Sequence, residues 1–274
     1  MKIRILGTSA AEGIPALWCD CERCKAAREA GEKRMRTSTL IDGRLLIDLS
    51  PDALAQSQAI PDGFSHVRDL LITHPHSDHL DVTEMHWLVH PFSRTRTQNP
   101  LRLHASQEAI DKVHAKTPAE RFEGVMETFP VEPFEPFETG GYEITPLLAA
   151  HSAEMLCMLY VIHSASATLF YGLDSGLLPE ATLKFLKQDP VHFDAAIIEC
   201  TNGAAGGDNR GHLSFEGVER QKQLLAECGC VDESTLLIAV HFSHNGMPGR
   251  EETRSVLKTI GFELGEDGAE FEIP

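Results

Sequence analysis

One stretch limits what this chain can fold into more than any other: Thr73-His74-Pro75-His76-Ser77-Asp78-His79. Four metal-capable side chains fall within six residues, directly behind the apolar run Leu70-Leu71-Ile72. Imidazole and carboxylate are ligands that suit zinc, manganese and iron. His74 and His76 sit two apart, so at a strand end they share one face. Asp78 and His79 then turn away as the chain bends. One cation cannot comfortably take all four from so tight a loop. Two neighbouring cations, each holding one pair, can.

A chain of 274 residues can bury a real core. Residues 1–274 read as a single domain, without an interdomain linker, internal repeat or low-complexity tract. Hydrophobic content of 42% against 24% charged is ordinary globular composition and argues against disorder. No apolar run approaches the length that spans a bilayer. The opening Met1–Gly7 reads as a first strand and turn, too short for a signal peptide, so the cytoplasm is the expected compartment. The net charge of -17 repels phosphate backbones and disfavours a general nucleic-acid binder. Three of seven cysteines crowd into residues 19–24, which in a reducing compartment points to metal rather than disulfides.

Strands are expected at residues 1–7, 37–41, 45–48, 70–73, 101–104, 142–148, 156–162, 168–171, 195–198 and 236–240. Asp42-Gly43 marks a hairpin turn. Helices are expected over 21–32, 51–59, 79–90, 106–116, 179–187, 213–228 and 249–260, with Ser106 and Ser214 as caps. Residues 117–141 carry four prolines and Gly140-Gly141, and read as loops and edge strands. Gly203–Gly211, with four glycines, reads as a mobile loop. Strands in two batches, each followed by helices, predict an α/β protein of two face-to-face sheets with helices outside.

Further candidate ligands stand just past apolar strands: His151, Asp174 and His241. A lone buried histidine is more often a satisfied polar group than a ligand. The shared position after strands, where loops gather at one edge, makes these three candidates. His66, His86, His90, His104, His114, His163 and His192 lack a motif and read as surface or structural groups. Cys157 and Cys200 lie in or beside apolar strands and read as core.

The stretch His74-Pro75-His76-Ser77-Asp78-His79 is the His-x-His-x-Asp-His signature, and with His151, Asp174 and His241 in order the chain resembles the metallo-β-lactamase superfamily. That resemblance implies a four-layer αβ/βα sandwich of two mixed β-sheets, with two divalent ions (zinc or manganese, or iron) between them at one edge. It implies His74, His76 and His151 on the first metal, Asp78, His79 and His241 on the second, and Asp174 bridging. It implies hydrolysis by a hydroxide shared between cations about 3.5–4 Å apart. Asp48 resembles the family's aspartate behind a ligand histidine, with Ser50 standing where the family usually has glycine.

A second cluster, Cys19-Asp20-Cys21-Glu22-Arg23-Cys24, supplies three thiolates. With His244, three residues beyond His241, it makes the ligand set of a closed structural zinc site. This cluster, the start Gly7-Thr8-Ser9-Ala10-Ala11-Glu12-Gly13-Ile14-Pro15 and the run Leu178–Leu186 resemble the PhnP-type phosphoribosyl cyclic phosphodiesterases. That subgroup implies a small cyclic phosphodiester substrate, a homodimer, and His212 acting on the phosphate beside Asp174. Arg210 in the same loop reads as solvated. Other activities share the central motif: a tRNA 3′-processing nuclease, which the charge disfavours, a lactone or thioester hydrolase, a coenzyme-PQQ-synthesis-B-like protein, or an iron redox enzyme.

Overall fold

The computed structural model describes all 274 residues, and its fourteen strands form two seven-stranded sheets. The first contains β1 (Lys2–Gly7), β2 (Ser38–Ile41), β3 (Leu45–Ile47), β4 (Asp69–Leu71), β5 (Leu101–Ala105) and β6 (Met126–Pro130). The second contains β7 (Phe137–Thr139), β8 (Tyr142–Leu148), β9 (Met158–His163), β10 (Thr168–Gly172), β11 (Ala195–Glu199), β12 (Leu236–Val240) and β13 (Glu263–Leu264). The last strand, β14 (Glu270–Glu272), returns to the first sheet beside β1. The chain therefore closes both sheets with two short strands that the sequence reading did not contain. Two and three residues are too few to show alternation.

Both sheets follow one pattern. In the order β14-β1-β2-β3-β4-β5-β6 three antiparallel pairings precede three parallel ones. In the order β7-β8-β9-β10-β11-β12-β13 the same holds. The switch falls at β3 and at β10.

Successive strand residues point to opposite faces, and here both faces are buried. Leu71, Ile47, Ile5 and Ile3 of the first sheet meet Tyr160, Tyr171, Ile197, Ile238 and Val240 of the second in one inter-sheet core. The alternate residues Leu46, Leu70 and Leu103 face outward, under α2 (Ala53–Gln58), α3 (Val82–Met85) and α4 (Gln107–Lys116). On the other side Phe170, Ile198, Leu237 and Ala239 face α1 (Glu22–Ala30), α5 (Glu180–Gln188), α6 (Phe215–Glu227) and α7 (Arg250–Thr259). The result is the expected four-layer sandwich. Ser106 and Ser214 cap α4 and α6, their hydroxyls accepting from Ala109 N and Gly217 N.

The helix expected over 79–90 is much shorter. Leu80 forms an isolated parallel bridge with Leu49, just beyond β3, with Leu49 N donating to the His79 carbonyl and Asp81 N to that of Leu49. Backbone held in that extended bridge cannot also turn into a helix, so α3 starts only after the Asp81 cap. A single 3₁₀ turn at His86–Leu88 follows. Residues 126–130 and 137–139 form the outer edge strands of the two sheets, as the proline-rich composition suggested. Cys157 and Cys200 are buried. No helix is long and apolar enough to cross a membrane.

Gly7 ends β1 where the chain passes the backbone of Arg36. A Cβ there would stand 2.0 Å from the Arg36 carbonyl oxygen. Gly7→Ala is expected to destabilise the fold by about 1–3 kcal/mol, since main chain rather than a flexible side chain must move. A lowered urea midpoint with unchanged slope would show it.

Candidate metal centre

The loop after β4 delivers the first candidate ligands. Thr73 is pinned twice by Asp48, which accepts from Thr73 N at 2.8 Å and from its hydroxyl at 3.0 Å. His79 N and Leu80 N both donate to the His76 carbonyl and turn the loop back on itself. His74 Nε2 then lies 2.9 Å from His76 Nδ1, and His151 Nε2, arriving after β8, lies 3.1 Å from the same atom. Asp174, beyond β10, brings Oδ2 to 3.4 Å from His74 Nε2 and 3.6 Å from His151 Nε2.

A second group sits alongside. His79 Nε2 is 3.2 Å from Asp78 Oδ2 and 3.1 Å from Asp174 Oδ2. His241 Nε2, beyond β12, is 3.0 Å from Asp174 Oδ1. The structure thus gathers His74, His76, His151 and Asp174 in one set and Asp78, His79, Asp174 and His241 in another, each within 4.8 Å. Asp174 belongs to both. Asp48, Asp174 and His241 adopt left-handed backbone, with φ of 62°, 45° and 60°. Non-glycine residues rarely do so, and such strain concentrates at functional sites.

Do these residues fit metal ions? His79 Nε2, His241 Nε2 and Asp174 Oδ1 are buried without a hydrogen-bond partner. Leaving a buried polar atom unsatisfied costs about 1–3 kcal/mol, and here three such atoms converge. The outer ring nitrogens of His74, His79 and His241 are engaged. His79 Nδ1 donates to Asp48 Oδ2 at 2.7 Å, and His74 Nδ1 to the Thr73 hydroxyl at 3.0 Å, which in turn donates to Asp48. His241 Nδ1 donates to the Thr201 hydroxyl at 2.8 Å, which donates to Glu199 Oε2 at 2.6 Å. Each bond fixes the tautomer that turns an Nε2 lone pair inward, which is what a metal-ligating histidine requires. Burial holds His74 and His151 below the usual imidazole range, favouring the neutral, ligating form. For Asp174, burial opposes the charge, but His241 and His79 outweigh it and hold the carboxyl well below its usual range.

Asp48 is fully buried and serves two candidate ligand histidines, one directly and one through Thr73. Ser50 is compatible with this turn; its hydroxyl accepts from Asp52 N. Asp48→Asn removes the negative acceptor and is expected to weaken active-site metal binding about 10–100-fold. Chelator competition on the purified variant would measure it.

Glu199 was absent from the sequence reading. An acid closing the apolar run Ala195–Ile198 was the available signal. Fully buried, it accepts from Ser175 N and His212 Nδ1 on Oε1, and from Thr201 N and the Thr201 hydroxyl on Oε2. Glu199 is to Thr201, His241 and His212 what Asp48 is to Thr73, His74 and His79. The His212 ring stands 4.8 Å from that of His151 and 6.0 Å from that of His241. Its side chain is 29% exposed, against 1–3% for His74, His79, Asp174 and His241, so it borders the open side of the cluster. Burial works against its charge, yet the Glu199 hydrogen bond and carboxylate push His212 up to about 9. Arg210 points into solvent with Asp208 and joins none of this.

Cys19, Cys21, Cys24 and His244 form a third gathering within 4.8 Å, with Cys21 Sγ 3.4 Å from His244 Nδ1. A backbone hydrogen bond from Cys24 and the His244 ring lower the Cys21 thiol to about 6, which favours the thiolate a metal needs. Three thiols and one imidazole are a complete tetrahedral zinc set.

Two seven-stranded mixed sheets, flanked by helices and carrying paired histidine–aspartate clusters at one edge, define a metallo-β-lactamase-type sandwich. The family model described as beta-lactamase superfamily domain matches residues 43–242, and the chain belongs to that family. It is similar over its whole length to the zinc-bound PqqB of Methylobacterium extorquens, with a TM-score of 0.74, 20% identity and 100% of both chains covered. It is similar to a structure described as a new diphosphatase from the PhnP family, with a TM-score of 0.73, 23% identity, and 100% and 98% covered. In sequence, 55% of the chain is 28% identical to part of an octanoyltransferase from Porphyromonas gingivalis, and spans 31% of that protein's length.

Proposed function

We propose that this protein is a binuclear metal-dependent hydrolase that cleaves small phosphodiesters, cyclic ones foremost. The observation that carries the reading is the Glu199–His212 pair at the open side of the double cluster. His74, His76, His151 and Asp174 would hold one divalent ion, and Asp78, His79, His241 and Asp174 the other. Such ions supply Lewis acidity and a water acidic enough to react at neutral pH. The chain's own residues do the rest. Asp174 offsets the repulsion between two cations. Asp48 and Thr201 hold the ligand imidazoles in their ligating tautomer. His212, its Nδ1–H held by Glu199, keeps a proton on Nε2 and passes it to the departing alkoxide oxygen. A diester needs such an acid because its leaving group is a poor one. The likeness to a PhnP-family diphosphatase supports phosphorus as the electrophile.

A second reading is a PqqB-like role. Full coverage of a zinc-bound PqqB favours it. One screen separates the readings: metal-loaded protein against bis-p-nitrophenyl phosphate, a cyclic ribose phosphate, a lactone and a thioester, with metal content measured on the same sample. Diester turnover is expected. Failure on both diesters, with two metals per active site present, would sink the phosphodiesterase reading. Iron with a chromophore would favour redox chemistry instead.

A further inference from the structure

The motif Ala10-Ala11-Glu12-Gly13 carries one acidic side chain that the hydrolytic site does not use. The backbone here pairs with the segment that follows β12. Phe242 N donates to the Thr8 carbonyl at 2.9 Å, and Ala10 N to the Phe242 carbonyl at 3.0 Å. Beyond that pairing the side chain of Glu12 takes over. Its Oε1 accepts from the Ser243 hydroxyl at 2.6 Å and from His244 N at 3.3 Å. The same oxygen lies 3.7 Å from His244 Nε2, beyond hydrogen-bond length. The other ring nitrogen, Nδ1, faces Cys21 Sγ at 3.4 Å. The His244 imidazole therefore stands between a carboxylate and three thiols.

We infer that Glu12 is a positioning residue for the Cys19/Cys21/Cys24/His244 site, clamping the main chain at His244 and setting a carboxylate beside Nε2 so that Nδ1 faces the thiols. The inference rests on reading those four residues as a zinc site. A histidine that ligates metal through one nitrogen almost always gives its other N–H to a carboxylate, carbonyl or water, and the partner raises its basicity. Glu12 also clamps the main chain at His244, three residues past the active-site ligand His241. It thereby orients the imidazole and fixes its anchor with one group.

The test uses the full chain loaded with zinc or cobalt. A thiolate-to-cobalt charge-transfer band reports the cysteine site alone, because the hydrolytic cluster contains no sulfur ligand. Glu12→Ala is expected to lower metal affinity at that site about 10–100-fold in chelator competition. Glu12→Asp and Glu12→Gln keep an acceptor oxygen, and are expected to recover part of it. Because Glu12 also holds Ser243 and His244 N, metal-free Glu12→Ala is expected to melt somewhat below the metal-free parent, and the zinc-loaded pair to differ by more. If the parent shows no thiolate–cobalt band, the zinc-site reading fails, and the inference with it. If the parent shows the band and Glu12→Ala competes identically, the inference alone fails. An equal loss of stability in the metal-free forms would make Glu12 a loop clamp only, and would overturn it too.

Discussion

Replacing His212 with alanine lowers kcat for diester cleavage by about 10²–10⁴-fold, the span a positioned general acid supplies, and leaves active-site metal content unchanged. The reason lies in how the ring is held. His212 stands in the loop just ahead of the Ser214 cap of α6, and its Nδ1 meets Glu199 at 2.9 Å. His212 belongs to neither candidate ligand set that includes Asp174, and shares a separate cluster with Glu199 and His241. Truncation therefore removes a proton donor without removing a ligand. The effect should shrink for a substrate such as a p-nitrophenyl diester, whose leaving group departs without protonation, and should be largest for a cyclic ribose phosphate. Steady-state rates on both substrates, with metal content from the same sample, check this. Equal losses on both substrates, or loss of metal, would assign His212 to the metal centre rather than to proton transfer.

Asp174→Asn is expected to remove about one active-site metal ion per chain and to cut turnover by about 10³-fold or more. One Asp174 oxygen approaches His74, His79 and His151, and the other approaches His241. An amide keeps one acceptor oxygen and loses the charge, so it cannot serve both sets. Five imidazoles would then face two cations with only Asp78 to offset them. Elemental analysis after gel filtration gives the stoichiometry, and diester turnover gives the rate. A variant that kept full metal content and full rate would show that the two sets work independently, and the bridging role would be lost.

Where the sequence was legible, it was legible for local reasons. His74, His76, Asp78 and His79 are close in the chain, and no fold can separate them far. Strands such as Leu70–Thr73 and Leu236–Val240 stand out because burial on both faces demands continuous apolar runs. Ser106 and Ser214 are visible as caps because capping is a contact over three residues. The failures are equally physical. The helix expected at 79–90 was shortened by Leu80 pairing with Leu49, thirty-one positions away, which periodicity does not register. The strands β13 and β14 are recognisable only beside β12 and β1.

The site's supporting groups follow the same division. Glu199 is an ordinary acid until β11 places it under His212 and Thr201, and Thr73 and Thr201 are ordinary hydroxyls until each is found between a histidine and a carboxylate. Glu12 meets Ser243 and His244 across more than two hundred residues. The repeated order of antiparallel and parallel pairings, which sets Asp48 and Asp174 beyond the two switch strands β3 and β10, leaves no trace in residue identity that could be read by eye.

By itself, then, the sequence determined the kind of chemistry available, because ligand type and strand-end position are properties of short segments. It also named the seven residues of the central cluster and the four of the cysteine site. The family resemblance already implied two sets sharing Asp174, with Asp48 behind a ligand histidine; only the tertiary structure decided which nitrogen of each histidine turns inward and that Glu199 holds the other side. Those are contacts between strand ends remote in the chain. A carboxylate declares what it supports only when folding brings its partner within hydrogen-bond reach.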